Sequence, residues 1–227
     1  MTSRRWGIAA LALVLLGVPL AARGQEVNLA TLDVDGGQAN RVQLRTGAEF
    51  GFVAGLGYGR VVPVLGRPLL LSGEVTLPWA GLDASDFQVR VGALVPIVGS
   101  RRWKLAGSLT PTLRGTRNDA ARMLSVGADA GLVGGFYARH WFVAGEVGAD
   151  AAITTHVTHS ALYRSTIHPE ARNGWYIIPG GNYRYGLQAG TSWGRYDLMA
   201  RAGWLVDAGG DRPLFPLYAT ITFDTRF

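Results

Sequence analysis

Three of the four histidines of the chain fall in one stretch of the sequence, at His156, His159 and His168. Imidazole can move a proton or bind a metal ion near neutral pH. Asp150 precedes this stretch and Ser160 follows His159, so a His–Asp pair could polarise a water molecule or the serine hydroxyl. Zinc is disfavoured because the chain has no Cys and few acids nearby. The residues leave a hydrolase site open, but we assign no catalytic residue, no metal and no other cofactor.

The same histidines belong to a polar stretch, from about 156 to 182, that we predict to be a long loop. An apolar run within it contains Trp175 and Tyr176. Aromatic rings of this kind extend a strand hairpin, touch lipid headgroups or contact a partner protein. The partner interpretation assigns the contact to His156, His159, His168, Trp175 and Tyr176.

Charged side chains elsewhere recur at alternate positions of extended segments, so we predict that they share the inner face of a closed sheet. Buried charges are costly unless they are paired, which favours an ion-pair network that fills a narrow lumen. The alternative is a narrow solute path, because several inward glycines leave space beside the charges. The predicted lumen charges are Arg45, Glu49, Glu74, Arg90, Lys104, Arg114, Asp129, Glu146, Asp150, Arg184, Arg201, Asp224 and Arg226.

Nine segments of the chain alternate between apolar and polar residues and would carry these charges. The last one is typical: Leu217, Ala219 and Ile221 fall on one face, and Tyr218 and Thr220 fall on the other. Such alternation predicts strands with one apolar and one polar face, and therefore an all-β fold. The segments are approximately 45–58, 69–79, 87–97, 103–114, 124–136, 141–154, 183–193, 198–206 and 217–227.

Length and connections favour a closed antiparallel transmembrane β-barrel over a soluble β-sandwich. Most segments reach the roughly 9–11 residues that cross the hydrocarbon layer of a membrane, whereas strands average about 5–6 residues. The connections at 99–102, 138–140 and 194–197 are short, and those at the other end tend to be longer and more polar. Outer-membrane barrels have this asymmetry between their two ends.

Aromatic residues predict two belts on the apolar faces, one at each end of the barrel. Amphipathic rings favour the two membrane–water interfaces, whereas a sandwich gives no reason for two belts. The belt at the short-turn end contains Tyr58, Trp103, Phe136, Trp141, Trp193 and Phe227. The belt at the long-loop end contains Trp79, Phe87, Tyr183, Trp204 and Phe215.

An alternating final strand that stops on Phe227 resembles the bacterial outer-membrane β-barrel superfamily, here in a small porin-like form. The resemblance covers about residues 26–227 and concerns architecture alone. It implies that the barrel-assembly machinery reads Phe227, and it implies an even number of strands. We count about ten, with a first strand at about 26–34 placed before a strand at about 42–60; eight strands is the alternative.

Residues 1–24 are typical of a secretory signal peptide, with Arg4 and Arg5 ahead of an apolar run from Ile8 to Leu16. Residues 25–227 then form one barrel domain. Loss of the signal removes three Arg and no acid, which lowers the formal charge from +6 to +3. No basic cluster with interleaved aromatic residues suggests nucleic acid. We predict export to the outer membrane, in contact with its lipid and lipopolysaccharide.

The predicted function is non-enzymatic: a structural anchor, or a component of an envelope-spanning complex with other envelope proteins. The first alternative is a narrow porin-like channel for small solutes. The second is a protease or lipid-modifying hydrolase at the rim of the barrel. Omptin-type proteases and lipid A deacylases are barrels of that kind, but this sequence matches neither family's motif.

Overall fold

The computed structural model describes residues 26–32, 37–49, 51–79, 84–177, 180–209 and 216–227. The predicted signal peptide and Phe215 lie outside these residues. In the described part of the chain, antiparallel strands make up nearly all of the regular structure, with a short 3-10 helix at Leu29–Thr31 and one helix, α1 (Ala161–Thr166). The strands are β1 (Asn40–Ala48), β2 (Phe52–Val64), β3 (Arg67–Pro78), β4 (Phe87–Gly99), β5 (Trp103–Arg117), β6 (Ala121–Tyr137), β7 (Trp141–His159), β8 (Gly174–Tyr176), β9 (Gly181–Trp193), β10 (Tyr196–Asp207) and β11 (Leu217–Arg226).

Ten of these strands close into a barrel. Each pairs with its neighbours in the chain, except that β7 pairs with β9, and β1 pairs with β11 to close the sheet. The short β8 lies outside this circle and pairs only with the end of β7. The predicted all-β, closed antiparallel barrel of about ten strands is therefore confirmed, and the alternative of eight strands is wrong.

The predicted first strand at about 26–34 is wrong for all of its described residues. Residues 26–32 pair with no strand; three of them form the 3-10 helix, and Glu26, Val27, Asn28 and Leu29 are almost completely buried. Barrel pairing begins at Asn40 instead. The missing strand comes from the segment predicted at about 42–60, which forms two strands, β1 and β2, that pair with each other. The count of about ten holds because these two errors offset each other.

The two ends of the barrel differ, although less than the sequence predicted. At the end that carries Phe227, which we call the short-turn rim, the connections are 65–66, 100–102, 138–140 and 194–195. The opposite end, the long-loop rim, has the longer connections 79–86, 160–180 and 208–216, but also the short ones 49–51 and 118–120. The predicted loop at 156–182 starts later than expected, because β7 continues to His159 and β8 pairs back onto it.

Each barrel strand presents one face outward and one inward. In β11, Tyr218, Thr220 and Thr222 are buried, whereas Ala219 and Ile221 are exposed on the outside. Neither helix in the described residues has the length and apolar composition to cross a lipid bilayer.

Candidate functional site

The lumen of the barrel holds all thirteen charged residues that the alternation pattern predicted there. Ten of them are buried. The other three, Glu74, Lys104 and Asp150, are half-buried and contact other lumen groups. The lumen is therefore lined by paired acids and bases, and the following contacts show how the pairs are arranged.

One group of charges lies between β1, β3 and β4, toward the long-loop rim. The Arg45 guanidinium contacts the carboxylates of Glu49, at 3.4 Å, and of Glu74. Arg90 reaches Glu74 from the other side at 2.9 Å and also donates a hydrogen bond to Thr76 Oγ1. Two bases thus share the Glu74 carboxylate, as expected for charges that cannot reach bulk water.

A second group surrounds Glu146 on β7. Arg201 Nη2 lies 2.7 Å from Glu146 Oε1, and Gln188 Nε2 donates to the second oxygen at 2.9 Å. The Tyr218 hydroxyl also donates to this carboxylate, and the Arg201 guanidinium lies 4.8 Å from the centre of the Tyr218 ring. Three neighbouring strands, β9, β10 and β11, therefore converge on one carboxylate of β7 and link the sheet across the lumen.

A third ion pair joins Arg184 on β9 to Asp129 on β6, through the two terminal nitrogens Nη1 and Nη2 of the guanidinium group. Gly131 and Gly148 are cross-strand partners beside it, and a Cβ on either glycine would overlap the guanidinium of Arg184. These inward glycines leave room for a large side chain from another strand. They do not provide an empty solute path beside Arg184.

The short-turn rim carries a fourth group. Arg41 lies 3.0 Å from Asp224, which also accepts a hydrogen bond from Gln43 at 3.3 Å. Arg226 Nε lies 3.2 Å from Asp197, and both partners are buried. Near the opposite rim, a looser contact of 3.9 Å joins Arg114 to Asp86.

The N-terminal segment, residues 26–32, passes through the middle of these groups. The Glu26 carboxylate accepts hydrogen bonds from Thr220 and Thr222 on β11 and lies 3.7 Å from Arg201. Further along, Asn28 Nδ2 donates to Ser192 Oγ at 2.7 Å. The segment is therefore bound through its side chains to strands on the inside of the barrel.

The segment also fills the short-turn half of the lumen with apolar atoms. Val27, Leu29 and Leu32 pack in one buried cluster with residues of several strands, among them Leu70 and Phe142. Lys104 Nζ donates to the backbone oxygen of Leu29 at 2.8 Å, which gives this half-buried ammonium an acceptor. Among the described residues, the apolar layer therefore lies between the ion pairs of the short-turn rim and those toward the long-loop rim.

Three charged members of the lumen were missed from the sequence. Arg41 and Asp197 lie four residues before Arg45 and Arg201, so the alternation itself placed them on the inward face. They were missed because the strands were predicted to begin too late. Glu26 gave no such signal, because the segment that holds it belongs to no strand.

The histidine stretch does not assemble the hydrolase site that the sequence left open. Asp150 faces inward and accepts two hydrogen bonds from Asn182. A register shift between Val126 and Gly127 of β6 inserts an extra residue into β7 beyond Asp150. His156 lies past this point and packs edge-to-face against Trp175 of β8, with ring centres 5.1 Å apart. His159 lies nine residues beyond Asp150 on the same strand, about 30 Å away at the usual rise, and stacks on Tyr163.

The remaining loop residues lie near one another at the long-loop rim. Tyr176 donates a hydrogen bond from its hydroxyl to Arg172 O at 2.6 Å, and His168 follows α1 and is exposed. Trp175 is 57% exposed, so a ring of this hairpin faces outward. No group of three His, Asp or Glu residues among those the structure describes could hold a metal ion.

The predicted aromatic residues lie on the outside, at two levels. At the short-turn rim, Phe136 packs between Trp103 and Trp141, with ring centres 5.7 and 5.4 Å apart, and Tyr58, Trp193 and Phe227 are exposed. Toward the long-loop rim, Trp204 stacks on Tyr185, Trp79 and Tyr183 are exposed, and Phe87 is half-exposed. The exposed ring faces give the barrel an apolar outer surface at both levels.

Fold and lumen together define the class of this protein: a closed, ten-stranded antiparallel β-barrel with a packed, ion-paired interior and an apolar exterior. The sequence matches no protein-family model. A search of curated proteins also finds no match.

Proposed function

We propose that this chain is an integral outer-membrane barrel that serves as a structural anchor, with a lumen closed to solutes and no enzymatic activity of its own. The observation that carries the proposal is the position of residues 26–32 inside the barrel. Glu26 is bound to β10 and β11, and Leu29 is buried in the apolar layer of the lumen. A water-filled path through the barrel would need this segment to leave.

The outer surface supports placement of the barrel in a lipid bilayer. Large apolar side chains are exposed all round it, for example Leu56 at 58%, Leu109 at 58%, Leu187 at 65% and Ile221 at 54%. An outer surface made of so many exposed apolar side chains is unfavourable in water and marks contact with a membrane or with other proteins. Closure of the ten barrel strands leaves no open edge in the barrel wall, and lipid would not tolerate such an edge.

The same features, together with the signal-like residues 1–24, support the proposed location in the outer membrane. Export would deliver the chain to the periplasm, and Phe227 would be the residue read by the assembly machinery. Phe227 is 54% exposed, and its backbone nitrogen donates to Asn40 O at the point where β11 meets β1. An anchor of this kind would present 160–180 on one side of the membrane to other envelope proteins.

Single-channel recording tests the proposal directly. The refolded chain in a planar bilayer should give a flat trace across both voltage polarities, because the lumen is packed. A variant without residues 26–32 is the matched comparison, and currents from that variant alone would identify the segment as the block.

Steady unitary currents from the complete chain would overturn the proposal in favour of the narrow channel. A matched control for insertion is the shift in gel mobility that a folded barrel shows before boiling, measured on both proteins. Equal shifts ensure that a flat trace reports a closed lumen.

A further inference from the structure

An apolar groove lies on the outer surface of the barrel, over β5, β6 and β7. This first groove has a volume of about 630 Å³ and lies next to the short-turn rim, between Trp103, Phe136 and Trp141. Gly134 and Gly145 face each other across β6 and β7 in its floor. A Cβ on Gly145 would meet nothing closer than Gly134 O at 4.0 Å, so this glycine leaves open space on the outside.

A second groove of about 650 Å³ lies farther along the same strands. It is lined by Leu109, Leu132, Val147 and Ala149. From Trp141 to Ala149 is eight residues of β7, which is about 26 Å of strand at the usual rise. With the tilt of about 45° that is usual in membrane barrels, this corresponds to roughly 18 Å of depth, slightly more than half of a hydrocarbon core about 30 Å thick. The two grooves together match the length of acyl chains in one leaflet.

Exposed cations occur along the short-turn rim, next to which the first groove lies. Six arginines are exposed at or near the short-turn rim, and none of the acids that the structure describes there is exposed, because Asp197 and Asp224 are buried in lumen ion pairs. The opposite rim has both signs of charge. The exposed arginines are Arg60, Arg67, Arg101, Arg102, Arg139 and Arg195.

Arg102 connects the charged rim to the groove. Its guanidinium carbon lies 5.8 Å from the centre of the Phe136 ring, which lines the groove. The backbone oxygen of Arg102 also accepts a hydrogen bond from Tyr137 N at 2.7 Å, so the turn at 100–102 is attached to the end of β6. Arg139, in the adjacent turn, lies two residues before Trp141 and is likewise exposed.

We infer that this surface binds an anionic phospholipid of the leaflet at the short-turn rim, with its phosphate at Arg102 and Arg139 and an acyl chain in the groove over Gly134 and Gly145. The inference rests on the proposed membrane location. Charge selects the occupant: arginine binds phosphate through several donors, and an anionic headgroup keeps a net negative charge that a zwitterionic one lacks. The combined apolar length of the two grooves matches a lipid tail.

Lipid retention tests the inference. The complete chain is refolded into vesicles of equal parts phosphatidylglycerol and phosphatidylcholine, extracted in mild detergent, and analysed by native mass spectrometry. The expected result is retention of phosphatidylglycerol in preference to phosphatidylcholine. Arg102→Gln/Arg139→Gln should lower that preference by about fivefold per arginine, the factor equivalent to roughly 1 kcal/mol per basic residue at an anionic membrane surface.

Two matched controls separate the site from general effects. Gly145→Leu fills the groove and should reduce retention of the lipid, whereas Ala219→Leu, outward on β11, should not. Arg117→Gln/Arg122→Gln removes two exposed charges at the long-loop rim and should leave the preference unchanged. The arginine variants keep the test decisive if Gly145→Leu does not fold.

The outcomes also separate this inference from the proposed function. Insertion into vesicles of phosphatidylcholine alone, measured by protection from added protease, tests membrane placement; failure there overturns both. Normal insertion with equal retention of the two lipids, or with equal loss in the control variants, overturns only the lipid site.

Discussion

At the residue scale, glycines on the inner face of the barrel accommodate side chains from other strands. Gly131 and Gly148 lie where the Arg184 guanidinium must pass to reach Asp129. Gly186 and Gly203 have the same relation to the Tyr218 hydroxyl, which reaches across to Glu146. The paired glycines therefore belong to the ion-pair network, because they define where its large members fit.

We expect Gly131→Ala to destabilise the barrel by about 1–3 kcal/mol, the usual cost of overpacking a filled interior. In an Arg184→Met background the same substitution should cost much less, because the overlapping group is then absent. The measurement is urea unfolding in phospholipid vesicles, arranged as a double-mutant cycle.

Gly145→Ala, on the outer face, is the matched control and should stay within about 0.5 kcal/mol of the parent. Equal costs for Gly131→Ala in both backgrounds would show that the glycine is needed for the backbone alone.

At the scale of elements, the N-terminal segment shows why a weak pattern is not a strand. Residues 26–32 combine Glu26, Asn28 and Thr31 with apolar Val27 and Leu29 in no strict alternation. Because the segment lies inside the barrel, lumen groups contact it on several sides, and both its polar and its apolar residues find partners. A strand of the barrel would have to place one of these sets on the outer surface.

The absence of Cys from the whole sequence allows single-cysteine reporters for this segment. A cysteine from Leu29→Cys should react slowly with a water-soluble maleimide, because Leu29 is 1% exposed. Leu65→Cys, at a turn residue that is 98% exposed, should react at the rate of a free thiol.

Adding Glu26→Ala should speed labelling of Leu29→Cys, because it removes the carboxylate that Thr220, Thr222 and Arg201 contact. Rapid labelling in the unaltered background, equal to that of Leu65→Cys, would contradict a segment held in the lumen.

At the scale of the whole molecule, the barrel reverses the arrangement of a soluble protein. Its ion pairs are inside, and most of its large apolar side chains are outside, apart from the apolar layer of the lumen. Removing one partner of a buried ion pair typically destabilises a protein by about 3–5 kcal/mol. The network therefore favours the one arrangement of strands in which every pair is formed. The outer face, in turn, favours a lipid environment.

Lysine substitutions on the outer face of β11 test that environment. Ile221 lies near the middle of the strand and is 54% exposed. In a bilayer, Ile221→Lys should destabilise the barrel by about 2–4 kcal/mol, whereas Leu217→Lys, at the strand end, should cost about 0–1 kcal/mol. Folding in vesicles, followed by gel mobility against urea concentration, measures the difference.

A soluble protein would show the opposite behaviour. An exposed Ile replaced by Lys in water should change stability by less than about 0.5 kcal/mol at either position. Equal and small effects for Ile221→Lys and Leu217→Lys would therefore contradict a lipid-facing surface.

Side-chain alternation in the sequence predicts most of the barrel strands and their two faces, since side chains alternate with a period of two whatever the partner strands are. That local rule placed Glu146 and Arg201 inside and Trp103 and Ile221 outside. It also contained the signal for Arg41, which continues the alternation of Arg45.

The residues that fill the lumen and the charges that contact each other are seen in the tertiary structure alone. The pair Arg184–Asp129 joins residues 55 positions apart, and the contacts between Glu26 and β11 span more than 190. The first pair depends on the register of β6, β7 and β9, and the second depends on where residues 26–32 lie once β1 pairs with β11. Local periodicity does not encode these contacts. The position of residues 26–32 inside the barrel is therefore visible only in the tertiary structure.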